Sequence, residues 1–145
     1  MEEFDSLVNL QMILKRYDSM LKGICDAYGI SLLDAKIISF LQHHPQQNTV
    51  NEIAELRMLS KGNVSTSVDK LIRNAILEKK GDPSDGRRFL LFLTPQANPI
   101  TAEIEKIRDD FFRTLFCGFS EEERNTYAAF RKRMTDNILT MSGKE

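Results

Sequence analysis

The segment that most constrains the fold is residues 60–94, where an amphipathic helix leads directly into a basic β-hairpin. From residue 60 the sequence reads SKGNVSTSVDKLIRNA, and apolar residues recur there at helical steps, which predicts one buried stripe. The stripe comprises Val64, Val68, Leu71, Ile72 and Ala75. At about 100° per residue, the opposite face carries short polar and basic side chains. That face comprises Asn63, Thr66, Asp69, Lys70 and Arg73, with Ser65 and Ser67 on its flanks.

Another helix precedes this one at the spacing of a helix-turn-helix. Thr49-Val-Asn-Glu52 has the pattern of a capping box and predicts a short helix that ends near Met58. Its buried side is expected to comprise Val50, Ile53, Ala54 and Leu59. Ser60 is the expected N-cap of the polar helix, so about three residues join the two helices.

The hairpin is predicted from two β-rich segments and the turn residues between them. Residues 76–80 and 88–93 flank Gly81–Gly86, a stretch dense in glycine, aspartate, proline and serine. This pattern indicates a hairpin, or wing, with Arg87 and Arg88 at its tip.

Two helices are expected before this region. Over residues 4–28, apolar side chains repeat at three and four positions for nearly three heptads, which favours packing against a partner helix. They are Leu7, Leu10, Leu14, Tyr17, Leu21 and Ile24. After Gly29, Ser31-Leu-Leu-Asp34 predicts a capping box that opens the second helix. Its inward residues are expected to be Leu33, Ile37, Phe40 and Leu41.

Two more helices are expected after the hairpin. Pro99 predicts a break at residues 97–99, because proline deletes a helical hydrogen bond and steers Asn98 out of helical geometry. Regular helix is therefore expected from Pro99, with the stripe Ile100, Ile104, Ile107, Phe111 and Leu115, widened by Phe112 and Phe116. Ser120-Glu-Glu-Glu123 predicts a capping box for a last helix to about residue 141. Its buried line is expected to be Tyr127, Phe130, Met134 and Ile138.

Length and composition predict one mainly α-helical domain over residues 1–145 with a small β-hairpin. A chain of 145 residues that is 41% hydrophobic can bury one core. No apolar run approaches the roughly 18 residues of a membrane span, and the acidic start favours a cytoplasmic protein. Cys25 and Cys117 are expected to be reduced and partly buried, with a redox role of Cys25 left open. His43 and His44 are assigned to a surface turn, and neither a metal nor a cofactor is expected.

The charge is unevenly distributed. The chain has a formal net charge of −1, yet residues 57–88 carry 8 basic and 4 acidic side chains, a net charge of +4. Such a local excess of positive charge is a modest signal for phosphate binding, and a solvated charged surface is the alternative.

The run TVNEIAELRMLSKGNVSTSVDKLIRNAILEKKGDPSDGRRFLLFLTP resembles the DNA-binding region of the MarR family of winged helix-turn-helix transcriptional regulators. The most specific part is the wing, with Asp82-Pro83, Asp85, Arg87 and the closing Leu93-Thr94-Pro95. Ala75 and Ala97 stand where the family usually has glycine, and Ser84 replaces a frequent basic residue. A left-handed backbone at Ala75 would cost about 1 kcal/mol.

The resemblance implies a division of labour along the chain. Residues 31–96 would form the DNA-binding region, and residues 4–28 and 99–141 would build a dimer. Ser60 through Lys70 would lie in the major groove, and Arg87, braced by Asp85, would enter the adjacent minor groove. A small molecule would bind in the cleft between the dimerisation helices and the winged region.

We therefore expect a homodimeric, sequence-specific regulator of double-stranded DNA, most simply a repressor of a pseudo-palindromic operator, and the resemblance implies release by a small-molecule effector. The expected DNA contacts are Ser60, Lys61, Asn63, Ser65, Thr66 and Lys70 in the helix and Asp85, Arg87 and Arg88 in the wing. The expected dimer contacts are Leu7, Leu10, Leu14, Tyr17, Leu21, Phe130, Met134 and Ile138. The alternative is a winged-helix module that binds a protein and has lost DNA recognition. No catalytic motif is present, so an enzyme is not expected.

Overall fold

The computed structural model describes residues 3–142 and confirms a mainly helical fold with one antiparallel two-stranded hairpin. In chain order the elements are α1 (Glu3–Tyr28), α2 (Leu32–His43), α3 (Val50–Leu56), α4 (Lys61–Arg73), β1 (Leu77–Asp82), β2 (Asp85–Leu93), a 3-10 helix (Pro95–Ala97), α5 (Asn98–Leu115) and α6 (Glu121–Ser142). Cα proximity divides the chain into two compact units, one up to Arg108 and the other from Asp109. Among the described helices none is long and apolar enough to cross a membrane.

Side-chain caps fix the starts of the helices as the sequence predicts. Ser31 Oγ accepts the Asp34 backbone N–H at 3.0 Å, and Asp34 Oδ2 accepts the Ser31 N–H at 2.9 Å. Ser120 and Glu123 make the same reciprocal pair at the start of α6. Thr49 differs, because its hydroxyl donates to the Glu52 carboxylate at 2.9 Å while accepting the Glu52 N–H. Each cap satisfies backbone donors that an open helix end would leave unpaired.

The core of the first unit forms where α2, α3, α4 and the base of the hairpin meet. Its fully buried apolar side chains include Leu21, Ile37, Ile38, Ile53, Val64, Leu71, Leu77 and Ile104. The predicted stripe of α4 is thus buried, except that Ile72 is half-buried and Ala75 exposed. Because apolar burial contributes roughly 25 cal/mol per Å2, this core holds the winged region together.

The hairpin is longer and its turn tighter than the sequence predicts. β1 and β2 pair from Leu77 opposite Leu93 to Asp82 opposite Asp85, so only Pro83 and Ser84 form the turn. The predicted loop over residues 81–86 is therefore wrong at both ends. Asp82 Oδ1 accepts the backbone N–H of Ser84 at 2.9 Å and its hydroxyl at 2.8 Å, which closes the turn.

The backbone at Ala75 is left-handed, with φ of 61°. This residue separates α4 from β1, and the Ile76 N–H returns to the Leu71 carbonyl at 2.9 Å. Thr94, at the other end of the hairpin, donates its hydroxyl to the Ala75 carbonyl. The hairpin is thus fastened to the end of α4, at the cost of a conformation that alanine adopts reluctantly.

The expected break before α5 is a change of helix type. The 3-10 turn Pro95–Ala97 leads directly into α5, and Asn98 has helical dihedrals of −56° and −44°. The expectation that Asn98 lies outside helical geometry is therefore wrong. Pro99 lies in the first turn of α5, where a missing N–H is tolerated, and the 3-10 turn supplies the bond from Asn98 N–H to the Pro95 carbonyl.

Apolar stripes on the terminal helices are exposed in the single chain. The predicted buried line of α6 is wrong for one copy, because Tyr127, Phe130, Met134 and Ile138 are 39–55% exposed. On α1, Leu7, Leu10 and Leu14 are 54–68% exposed, Tyr17 is half-buried and Leu21 is buried. The heptad pattern indicates apolar side chains that pack against another helix, and in a single copy of the chain these side chains remain largely exposed to solvent. Cys25 is buried and Cys117 is exposed, so the expectation of partial burial fails for Cys117.

Candidate nucleic-acid interface

The start of α4 presents short polar side chains and one lysine to solvent. Lys61, Asn63 and Thr66 are exposed, and Ser65 is half-buried. Ser60 Oγ accepts the Asn63 backbone N–H at 3.3 Å, which orders the first turn. The Thr66 hydroxyl donates to the Gly62 carbonyl at 3.0 Å, so its oxygen remains an acceptor for an outside group. This turn of the helix can therefore approach another molecule closely.

Two residues that the sequence assigns to the polar face have inward partners. Ser67 is 6% exposed, and its hydroxyl donates to Asp34 Oδ1. Lys70 is half-buried, with its Nζ 2.6 Å from Asp34 Oδ2. Periodicity misplaces Ser67, because a small hydroxyl can be buried wherever a buried acceptor waits for it.

Asp34 stays ionised although it is fully buried. Burial alone would raise its pKa, but the hydrogen bonds from Lys70, from Ser67 and from the Ser31 backbone outweigh that effect and hold the pKa below its ordinary value. A buried carboxylate that is ionised needs such donors. The sequence analysis recognised only its capping role.

Arg87 and Arg88 lie within β2 and not at the tip of the wing as the sequence predicts, and their surroundings differ. Arg88 donates from Nε to Asp82 Oδ2 at 3.1 Å, and its second guanidinium nitrogen lies 3.1 Å from the same oxygen. Asp85 Oδ1 accepts the backbone N–H of Arg87 at 3.0 Å. The expected brace is therefore corrected, because Asp85 holds the backbone of Arg87 and it is Asp82 that holds a guanidinium. Arg87 is exposed.

Asp82 is suited to this bracing role. The backbone hydrogen bond from Ser84 is the main cause that lowers its pKa, and the Ser84 hydroxyl and Arg88 add to the effect. The carboxylate therefore accepts from both the turn and Arg88. The turn thus fixes where the arginine lies.

A groove of about 390 Å3 runs between α3, α4 and the wing. Four basic side chains line it, namely Lys61, Lys79, Arg87 and Arg88, together with Thr49, Asn51 and Ser65. Lys79 lies over the Phe89 ring with its Nζ 4.7 Å from the centroid, which restricts where the cation lies. The sequence analysis missed Lys79 and Phe89, although strand alternation places residues 79, 89 and 91 on one face.

A buried asparagine ties the wing to the segment before α3. Asn48 donates from Nδ2 to the Leu91 carbonyl at 2.9 Å, and the Leu91 N–H donates to the Asn48 carbonyl at 2.8 Å. The two hydrogen bonds fix the position of β2 relative to the segment that precedes α3. An isolated asparagine next to a capping threonine gives no sequence signal for this role.

A second cavity of about 440 Å3 lies among α1, α2, the end of α3 and Arg108. Its lining combines apolar and aromatic side chains with the cations Lys36, Arg57 and Arg108. His43 also lines it and has its Nε2 3.0 Å from Glu105 Oε2, so assigning this histidine to a surface turn was wrong. Burial raises the pKa of Tyr17, against the opposing effect of Arg108. The cavity offers positive charge beside a hydrophobic wall.

Comparison with known proteins gives a consistent result. The profile of the MarR family matches residues 28–88. The uncharacterized HTH-type transcriptional regulator YkoM of Bacillus subtilis is 26% identical over 136 residues, 91% of this chain and 88% of that protein. YsmB of the same organism, described in the same words, is 27% identical over 75 residues, 52% of this chain and 51% of its own length.

Solved structures share the fold over nearly the whole chain. A MarR-family regulator from Silicibacter pomeroyi has a TM-score of 0.80 at 18% identity, with 92% of this chain and 89% of that chain covered. S. aureus MepR in complex with DNA has a TM-score of 0.78 at 22% identity, covering 95% and 99%. Bordetella bronchiseptica BpsR, whose DNA binding is regulated by 6-hydroxynicotinic acid, has a TM-score of 0.68 at 17% identity, covering 92% and 99%.

Proposed function

We propose that this protein is a transcriptional regulator of the MarR family, acting as a homodimeric repressor of a pseudo-palindromic operator. The MarR-family profile over residues 28–88 and the fold shared with a MarR-family regulator support this proposal. One observation carries the proposal: Lys61 of α4 and Lys79, Arg87 and Arg88 of the wing line one groove, with Asp69 as its acidic residue, in a chain whose net charge is −1. Such local concentration of positive charge suits a polyanion.

The two parts of the interface take different roles on the duplex. α4 enters the major groove, where Asn63, Ser65 and Thr66 offer hydrogen bonds to base edges. Arg87 reaches the adjacent minor groove, whose negative potential attracts arginine where the groove is narrow. The sugar-phosphate backbone between the major and minor grooves of the DNA then passes over the protein groove that Lys61 and Lys79 line.

A second copy of the chain completes the protein. The exposed apolar residues of α1 and α6 are the expected dimer contacts, because water is a poor environment for so many large hydrophobic side chains. A two-fold dimer presents two α4 helices about 34 Å apart and requires half-sites about one helical turn apart.

The second cavity is the proposed effector site. Arg57 and Arg108 favour a small anionic molecule, Lys36 lies beside them with its Nζ 3.4 Å from Asp18 Oδ2, and the apolar wall accepts a hydrophobic ring. The regulation of BpsR by 6-hydroxynicotinic acid is an example in a protein of the same fold. A ligand releases the repressor by binding more tightly to a dimer spacing that does not fit the operator.

The test starts from duplexes that the purified protein selects from a random pool. Binding of the selected duplex is titrated at rising salt, with an unrelated duplex of equal length as the control. We expect affinity to fall log-linearly with salt, because bound lysines and arginines release counterions. Absence of binding at low salt would exclude DNA recognition and favour the protein-binding alternative.

A further inference from the structure

A buried carboxylate links the recognition helix to the rest of the winged region. Asp34 lies in the first turn of α2 with 0% of its surface exposed, and two of its partners lie on α4. Ser67 donates to Oδ1, and Lys70 approaches Oδ2 at 2.6 Å. A third donor, the Ser31 backbone N–H, shares Oδ2 at 2.9 Å. The same side chain therefore starts α2 and contacts α4.

The two contacts restrict how α4 can turn about its own axis. Ser67 and Lys70 are three residues apart, so they lie on one face of the helix and reach a single carboxylate together. Apolar packing alone is non-directional and permits small rotations. The hydrogen bond from Ser67 is directional, and the ion pair of Lys70 adds a second contact to the same carboxylate, so a rotation that breaks both leaves a buried charge with fewer compensating donors.

The pair lies beside the residues that are expected to contact bases. A cleft of about 240 Å3 is lined by Asp34, Ser67, Lys70, Asn63 and Thr66, with Ser31 and Leu33. A rotation of α4 that breaks the pair would also move Asn63 and Thr66. Without Lys70, the carboxylate of Asp34 would moreover lie uncompensated beneath a surface that faces phosphates.

We propose that Asp34 and Lys70 are a positioning pair for the recognition helix, and that Lys70 acts through Asp34 instead of contacting phosphate. The inference rests on the proposed DNA binding and revises the expected role of Lys70 within it. Lys61 is the natural contrast, because its side chain is exposed on the first turn of the same helix.

Lys70 could position α4 through Asp34 or contact phosphate directly, and substituting first one residue of the pair and then both distinguishes these two roles. Lys70→Met keeps the methylene stem and removes the charge, and Asp34→Asn keeps an acceptor for the Ser31 N–H. We expect Lys70→Met to weaken binding of the selected duplex at least tenfold. The Asp34→Asn/Lys70→Met variant should recover most of this loss, since neither charge is then left alone.

The salt dependence of binding distinguishes positioning from phosphate contact. The double variant should keep the wild-type slope of log affinity against log salt, and Lys70→Arg should keep both affinity and slope. Lys61→Met, the matched control, should lower the slope by about one. A double variant that recovers no affinity and loses about one from the slope would overturn the proposal, because Lys70 would then be a phosphate contact.

Urea unfolding without DNA tests the pair independently of the proposed function. We expect the double variant to lower the midpoint by less than the sum of the two single variants, which reports coupling between the residues. Additive shifts would overturn the positioning pair even if DNA binds. Coupled shifts in a protein that binds no duplex would support the pair and exclude the DNA-binding function.

Discussion

The winged region and the terminal helices differ in whether their side chains find packing and hydrogen-bonding partners within a single chain. In the winged region, a buried core is surrounded by polar groups that have partners within the chain, such as Asp34 with Lys70 and Asp82 with Arg88. On α6 and on the first half of α1, most large apolar side chains are exposed. Phe130 on α6, for example, is 53% exposed.

This difference indicates which part of the molecule is complete in one copy. The winged region can hold its proposed DNA-contacting surface rigid by its own contacts, which is what sequence recognition requires. The terminal helices carry a pattern that only another apolar surface would satisfy. We infer that recognition is encoded within one chain, whereas the spacing of two recognition surfaces is encoded between chains.

The comparison is most strongly tested by placing a charge on the exposed stripe of α6. Phe130→Glu should convert the proposed dimer to a monomer at micromolar concentration, because an unpaired charge buried in the interface costs about 3–5 kcal/mol. Operator affinity should fall at least about a hundredfold as a consequence. Analytical ultracentrifugation and anisotropy titration measure the two effects. Lys132→Ala, an exposed neighbour on the same helix, should change neither, and a dimeric Phe130→Glu variant would contradict this interface.

A smaller effect is expected from the wing, where two adjacent arginines can be compared. Arg87→Ala should weaken operator binding by about tenfold to a hundredfold and reduce the salt slope by about one. Arg88→Ala should weaken binding less, because Asp82 already holds its guanidinium. Equal losses would show that the bracing by Asp82 does not separate the two roles.

The buried carboxylate of the winged region predicts a specific dependence of stability on pH. The pKa of Asp34 is lower in the folded protein than the unfolded value of about 3.9, so its contribution is fully present above about pH 4 and is lost as pH falls through the folded pKa. Asp34→Asn should lower the free energy of unfolding by about 1.5 kcal/mol at pH 7. The difference from wild type should shrink below about pH 4 in urea titrations. A difference that stays constant down to pH 2.5 would contradict the assignment.

The smallest expected effect is a stabilisation at the junction between α4 and the hairpin. Ala75→Gly should raise the free energy of unfolding by about 1 kcal/mol, because glycine adopts the left-handed backbone without strain. Ala97→Gly is the matched control and should destabilise by a similar amount, since Ala97 is buried in a helical turn. Thermal unfolding measures both, and a destabilised Ala75→Gly variant would show that the strain is absent.

Local features could be predicted from the sequence because they depend on neighbouring residues. The capping boxes at Ser31 and Ser120 follow from groups three residues apart, and both are present. The resemblance, in which glycine is usual at position 75, agrees with the left-handed backbone found at Ala75. The order of helices and hairpin is confirmed for the same reason, since periodicity and turn residues are local signals.

Contacts between distant residues could not be predicted in this way. Lys70 was assigned to the outer face because periodicity does not reveal a buried acceptor 36 positions earlier. Asp85 contacts the backbone of Arg87 and not its guanidinium, and the Asp82–Arg88 pair had no sequence signal, because both contacts depend on a turn of two residues where six were predicted. The exposure of α6 could not be predicted, because periodicity indicates that an apolar stripe is buried but does not indicate whether the same chain or a second copy packs against it.

The most direct test of the account is the effect of half-site spacing on binding. An insertion of about 5 base pairs between the half-sites of the selected duplex turns them to opposite sides of the helix. If a rigid two-fold dimer reads both half-sites, affinity should fall at least about a hundredfold, to that of a duplex with one half-site. Equal affinity for the original and the inserted duplex would contradict the account.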